Sequence, residues 1–285
     1  MDGVLVIDKP SGVTSHDVVD AIRKKLGMKR VGHGGTLDPD ATGVLLLGVG
    51  KATRFLSYAQ AAPKRYTAVV SFGSATSTLD ASGEVLASAP VDFSESDLNA
   101  ALERFRGDIE QVPPMVSAIK IGGERLHAKA RRGEEIDRPP RAVTIYELQL
   151  VSFTAGGETE ATLDVRCSGG TYIRSLAHDL GQALGSGAHL KTLRRTEAGG
   201  FSISDALSID EADASALRPL HEAVRLLPRV EVGPEDARLV ANGRPLRLDV
   251  DIEEGASAAV VAGGELLAVY KREGARILPE RVVPR

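Results

Sequence analysis

The chain has 285 residues, and 35 Lys and Arg stand against 39 Asp and Glu for a formal net charge of −4 at pH 7. That balance argues against a uniformly basic nucleic-acid coat protein. The single cysteine, Cys167, excludes an internal disulfide framework and points to a reducing compartment. The longest clean apolar run, Val44 to Leu47, falls far short of the ~20 residues a membrane helix needs. No basic segment precedes the apolar residues near the N-terminus, so the expectation is a soluble, cytoplasmic chain. Its length suits one large domain plus a small one.

Val4 to Ile7 reads as a strand closed by the turn cluster Lys9-Pro10-Ser11-Gly12. Thr14-Ser15-His16-Asp17 then opens a helix in which Val18, Val19, Ile22 and Leu26 recur at helical spacing, and Gly27 suits its end. The irregular, glycine-rich stretch Gly32 to Gly43 leads into a buried strand, Val44 to Leu47, and a short helix around Thr53 to Ala59. Lys64 to Phe72 alternates as a strand, with Tyr66, Ala68, Val70 and Phe72 on one face. Leu98 to Phe105 reads as a helix in an acidic stretch.

Pro113 to Arg141 differs in character, with Pro-Pro at each end and a dense basic content, and reads as an insertion. Strands are expected near Val143 to Phe153 and Glu160 to Cys167. A helix from about Thr171 to Leu184 follows, striped by Ile173, Leu176, Ala177, Leu180 and Leu184. From about Val232 the chain reverts to short strand-like segments, with Asn242-Gly243 and Gly263-Gly264 as hairpin-turn candidates. That pattern suits a small β-barrel-like appendage.

The glycines invite phosphate-binding templates, and these fail. A Walker loop would need Ser or Thr after Gly50-Lys51, where Ala52 stands, and Gly where Leu45 stands. The dinucleotide pattern would need Gly in place of Leu37 or Thr53. Cys167 and six scattered His give no metal-ligand spacing.

What remains is Gly32-His33-Gly34-Gly35-Thr36-Leu37-Asp38-Pro39-Asp40-Ala41-Thr42-Gly43. Pro39 pushes Asp38 out of helical space into extended geometry, and the glycines permit sharp turning and close backbone approach. A rigidly presented carboxylate is what nucleophilic or base chemistry at a sugar carbon needs. An Asx-type turn leading into the Val44 strand is the plainer alternative.

This block resembles the catalytic motif of the TruB-type pseudouridine synthases, which isomerise a uridine in the TΨC loop of tRNA. Other blocks before and after it keep the same family order. Ile7 to Asp17 resembles its opening segment, Pro63-Lys64-Arg65-Tyr66 its active-site tyrosine strand, Arg106 to Lys120 its run into an RNA-gripping insertion, and Cys167 to Leu176 together with Gly187 to Thr196 its later signatures. Ala241-Asn242-Gly243-Arg244-Pro245 is similar to the family's small RNA-binding PUA domain.

The resemblance implies an α+β fold: a mixed, largely antiparallel central sheet flanked by helices, with a small β-barrel-like PUA domain. It places the catalytic domain at residues 1–231, with the RNA-gripping insertion at about 113–141, and the PUA-like domain at 232–285. Asp38 becomes the catalytic carboxylate, acting either as nucleophile at C1′ or as base toward the 2′ hydrogen. Arg174 becomes its cationic partner, and Tyr66 the aromatic platform for a flipped base, since a uridine in a folded loop must be extruded before its glycosidic bond is reached. His33 matches a residue that fills the space beside the flipped nucleotide, and Tyr172 and Leu193 match pocket-lining residues. The implied reaction oxidises nothing and imports no group, so neither cofactor nor metal is expected. The implied partner is the TΨC stem-loop of tRNA, with no membrane, no obligatory protein partner and a monomeric state. Two alternatives are a non-catalytic tRNA-binding or tRNA-folding module and the catalytic subunit of a guide-RNA particle.

The charge distribution fits an RNA partner better than its sum. Arg23, Lys24, Lys25, Lys29 and Arg30 fall within residues 21–36, which hold no acid, and the insertion is basic. Eight acids against two bases lie between Asp80 and Glu110, a stretch expected to face away from the RNA.

Overall fold

The computed structural model describes residues 1–117, 120–121, 124–125, 132, 134, 136–247 and 251–284. Much of the expected insertion, including Lys129 and Arg131, lies outside the described residues. The chain forms two compact units: Met1–Ala62 with Glu197–Arg285, and Pro63–Thr196.

In the first unit, β1 (Gly3–Lys9) and β2 (Val31–His33) each pair antiparallel with β3 (Thr42–Val49). Between β1 and β2 lies α1 (Ser15–Leu26). Thr14 caps it by accepting the Asp17 N–H at 3.1 Å, the Asp17 carboxylate accepts the Thr14 N–H at 2.8 Å, and Gly27 closes it at φ +63°. The two-residue period of β1 and β3 divides their side chains between two layers. Leu5, Ile7, Leu45 and Leu47 meet Val18, Val19 and Ile22 of α1. Val4, Val6, Val44 and Leu46 meet Phe55 and the first residues of α2 (Leu56–Ala61), which follows a 3₁₀ turn at Gly50–Arg54.

The second unit begins with β4 (Lys64–Phe72), whose alternate residues are buried as its sequence pattern requires. The short hairpin β5 (Ser74–Thr76) and β6 (Val85–Ser88) precedes α3 (Glu95–Glu103). That helix starts three residues before the expected Leu98, because Ser94 and Asp97 form a second capping box. Next come β7 (Gly107–Gln111), the two-residue pair β8 (Lys120–Ile121) and β9 (Glu124–Arg125), β10 (Arg141–Thr154), β11 (Glu160–Cys167), α4 (Ile173–Ala183) and β12 (Ala188–Ala198). The sheet runs β12-β4-β11-β10-β7, and β4, β11, β10 and β7 pair antiparallel.

The chain then returns to the first unit through β13 (Phe201–Ser202). Here β14 (Arg229–Glu231), β15 (Ser257–Ala262), β16 (Glu265–Glu273) and β17 (Arg276–Val282) form a four-stranded sheet in that order, parallel between β14 and β15 and antiparallel elsewhere. The expected β-barrel-like appendage is thus an open sheet. Gly263-Gly264 makes the expected hairpin between β15 and β16. Asn242-Gly243 does not. It ends α5 (Pro234–Ala241), with Gly243 at φ +65° donating its N–H to Val240 O, because a left-handed glycine serves a helix terminus as readily as a hairpin.

This sheet has two apolar faces. One, with Val260, Ala268, Tyr270 and Ile277, closes over α5 residue Val240 and over Leu246. The other, with Ala259, Val261, Leu266 and Val269, joins the layer of Val4, Val6, Val44, Leu46 and Phe55.

Candidate functional site

His33 and Asp38 belong to the first unit, and Tyr66, Tyr172, Arg174 and Leu193 to the second. His33 ends β2 opposite Leu47, half-buried. From there the chain leaves regular structure. The Gly34 N–H donates to Leu46 O at 2.8 Å, and Gly35 takes φ +134°, a value L side chains avoid.

The residues on either side of Asp38 are then fixed from elsewhere. The buried Ser15 hydroxyl donates to Leu37 O at 3.0 Å and accepts the Leu37 N–H at 2.8 Å. Lys9 is fully buried, and its Nζ donates to the carbonyls of Pro10 at 2.9 Å, Val13 at 2.6 Å and Pro39 at 2.8 Å. Pro39 O also accepts the Gly12 N–H at 3.0 Å, and Asp38 O accepts the Ala41 N–H at 3.1 Å. A buried ammonium is costly unless its protons are satisfied, and here carbonyl oxygens satisfy them. Asp38 itself is half-buried, held between two clamped neighbours.

In the second unit, Arg174 occupies the first turn of α4 and is 4% exposed. Its Nη1 donates to Thr78 O at 3.1 Å and its Nη2 to Val116 O at 2.8 Å, and Asp80 Oδ2 lies 3.4 Å from Nη1. Asp80 is held in its own turn, accepting the Thr78 hydroxyl at 2.6 Å and the Ser82 N–H at 3.1 Å. At least one residue of the acidic stretch, Asp80, therefore pairs with the buried Arg174. The helix start is bound to the end of β7. The Gln111 side chain exchanges two hydrogen bonds with the Tyr172 backbone, at 3.0 and 3.3 Å, and the Ser175 hydroxyl donates to Val112 O at 2.8 Å. Tyr172 caps the helix by backbone position alone, half-buried.

Tyr66 is 6% exposed on the inward face of β4, one alternation from Lys64. Lys64 is buried too, and its pKa falls to about 8, chiefly through burial and next through the nearby Arg195 cation. Burial pushes the Cys167 thiol up to about 11, so it is a protonated core residue and a poor nucleophile. Leu193 sits half-buried on β12.

Sequence reasoning did not single out Lys9, Ser15, Asp80 or Gln111 as site residues. Lys9 reads as part of a turn cluster and Ser15 as part of a helix opening. Their partners are mostly backbone groups, which no side-chain pattern reveals. Among the described residues, no cluster of three or more His, Cys, Asp or Glu could hold a metal ion, and no helix is long and apolar enough to cross a membrane.

Residues 23–173 match the TruB family pseudouridylate synthase N-terminal domain. Residues 174–230 match the tRNA pseudouridylate synthase B C-terminal domain, and 227–284 the tRNA pseudouridine synthase II C-terminal domain. The chain is 49% identical over 246 residues to tRNA pseudouridine synthase B of Symbiobacterium thermophilum, covering 85% of this chain and 82% of the relative. It is 47% identical over 287 residues to the protein of the same name from Parasynechococcus marenigrum, covering 99% and 97%. Among solved structures, a chain of a Cbf5-Nop10-Gar1 complex superposes with a TM-score of 0.77 at 29% identity, covering 99% of this chain and 85% of that one. A clamped Asp-Pro loop, a buried first-turn arginine and matches along nearly the whole sequence lead to one conclusion: the chain belongs to the TruB family of pseudouridylate synthases.

Proposed function

We propose that this chain isomerises uridine 55 in the TΨC loop of tRNA to pseudouridine. The observation that carries the reading is the loop around Asp38, in which Ser15 and Lys9 clamp the backbone before and after the carboxylate. Such clamping suits a group that must meet a sugar carbon in one geometry. It is supported by relatives named tRNA pseudouridine synthase B that align over nearly the full length.

The reaction breaks the N1 to C1′ bond, rotates the uracil, and forms a C5 to C1′ bond. N1 gains a proton and C5 loses one, so the product is an isomer with nothing oxidised. Asp38 acts as a carboxylate, at C1′ or at the 2′ hydrogen, and either route begins from the ionised form. Arg174 supplies the cation that keeps it so. Tyr66 stacks on the extruded base, a contact worth ~1–3 kcal/mol. His33, Tyr172 and Leu193 line the space around the nucleotide. Residues 1–231 form the catalytic domain, 113–141 grip the RNA, and 232–285 act as a PUA-like RNA-binding part. The enzyme works as a monomer, in the cytoplasm, without protein partner or cofactor.

The test is tritium release from a TΨC stem-loop carrying 5-tritiated uridine, because forming the C5 bond expels that hydrogen. Release by the purified chain supports the reading. Binding without release would leave a tRNA-binding or tRNA-folding module instead, and release only with added guide RNA and partner proteins would make it a particle subunit.

A further inference from the structure

The first unit carries a cleft of about 620 Å³ whose cations the chemistry above does not use. Its walls bring together Arg23 from α1, Lys29 and Arg30 from the turn before β2, Arg54 from the 3₁₀ turn and Arg281 from β17, and among the described residues no Asp or Glu lines it. His33, at the end of β2, lines the same cleft.

These cations are available. Arg23 pairs with Asp20 at 2.9 Å and donates to Val31 O at 2.8 Å. Lys29, Arg30, Arg54 and Arg281 form no ion pair among the described residues. Arg30 Nε donates to Thr53 Oγ1 at 2.9 Å and an Arg281 Nη donates to Arg54 O, bonds to neutral oxygens that fix the side chains. A face that gathers like charges from separated parts of the chain pays for their repulsion and is made whole by a polyanion. The core of a protein interface is depleted of charge and rich in aromatic anchors, whereas here the rims are cationic and polar, with Ser57 and Gln60 as hydrogen-bonding groups. That is the chemistry of phosphate and sugar contacts, which position a nucleic acid without reading its sequence.

We propose that this cleft holds the sugar-phosphate backbone of the RNA strand adjoining the extruded nucleotide, with Lys29, Arg30, Arg54 and Arg281 each neutralising a phosphate. The proposal rests on the tRNA-modifying reading, and it places the strand here because His33 links the cleft wall to the loop that presents Asp38. It also gives Arg281, on the last strand, a part in holding the stem-loop itself rather than a remote part of the tRNA.

The experiment measures fluorescence anisotropy of a labelled TΨC stem-loop and of whole tRNA over a series of KCl concentrations. The proteins are the native chain, Lys29→Gln/Arg54→Gln, Arg281→Gln and the control Arg104→Gln/Arg166→Gln, two solvent-facing cations outside the cleft and outside the parts assigned to RNA. Each lost phosphate contact lowers the slope of log affinity against log salt by about 0.7–0.9, so the double variant flattens it by about 1.5 and binds both RNAs at least about tenfold more weakly. The Lys29 side chain makes no hydrogen bond or ion pair among the described residues, so Lys29→Gln alone, flattening the slope by about 0.7–0.9, keeps the test open if the double variant folds poorly. Unchanged slopes in the cleft variants overturn the proposal. An equal loss in the control overturns it too, since the effect would be one of general charge. Weaker binding of whole tRNA with the stem-loop unaffected overturns the assignment to the adjoining strand. Failure of the native chain to release tritium counts against the isomerase reading, whatever the slopes.

Discussion

Asp38, in the first unit, and Arg174, in the second, are held in opposite ways. The carboxylate hangs on a loop without repetitive structure, so its place depends on side chains borrowed from residues far off in sequence: Ser15 on Leu37 and Lys9 on Pro39. The guanidinium stands on a helix, buried among carbonyls of Thr78 and Val116 and against Asp80, and most of its restraint is made by its own atoms. The lesson is where each half is fragile. The loop is sensitive at positions that never touch substrate, and the helix is sensitive at the arginine itself.

The largest effect should come from Asp38→Asn, which keeps size and loop contacts but removes the charge. Tritium release is expected to fall about a thousandfold or more, while anisotropy reports retained RNA binding. Activity near native would remove Asp38 from its role and with it the contrast. Next is Arg174→Lys. A lysine cannot spread planar donors over two carbonyls and a carboxylate, and a misplaced site costs on the order of a hundredfold in turnover. Ser15→Ala should cost less, about tenfold in kcat with KM nearly unchanged, together with about 1–3 kcal/mol of stability for the two lost hydrogen bonds to Leu37. If Ser15→Ala lowers stability yet leaves kcat untouched, the loop does not need its clamp.

The last effect is on stability against pH and leaves turnover alone. Lys64, with its pKa lowered from 10.5 to about 8 by burial, binds its proton less tightly folded than unfolded. Its protonated form therefore weighs on the fold below pH 8, and stability rises with pH between about 8 and 10.5, by about 3 kcal/mol at most. Urea unfolding of Lys64→Met over that range should lack this rise. An identical slope in both proteins would show that the lysine is not the cause.

Local signals made much of this structure legible in advance. The capping box of α1 lies within four residues, and β4 wears its alternation openly, so both are readable from sequence. β12 is not, because one of its inward positions is Arg195, 1% exposed, where a strand pattern calls for an apolar residue. β7 is similarly polar, its inner end marked by Gln111. Asp38 stands out as a carboxylate before proline in a glycine-rich run. Its clamps do not, since Ser15 and Lys9 act on backbone groups 22 and 30 residues away, and a backbone carbonyl is the same at every position. The family motif marked Arg174 but said nothing of Asp80, its ion-pair partner.

The two-faced C-terminal sheet bears on the order in which the chain can fold. Val4 and Val6 of β1 share a core layer with Ala259, Val261, Leu266 and Val269 of β15 and β16. During synthesis the first strand emerges long before the last ones, and domains usually fold from the N-terminal side as they appear. Here that shortcut is incomplete: Phe55, Phe201 and Val224 join the layer earlier, but it lacks Ala259, Val261, Leu266 and Val269 until those strands are made. Val261, Leu266 and Val269 are worth about 1.5–3 kcal/mol each when buried, a large part of the ~5–15 kcal/mol that holds an ordinary domain together. A nascent chain stalled before residue 257 would therefore keep part of this layer uncovered, and chaperone engagement and protease sensitivity should persist until β15 and β16 have been made.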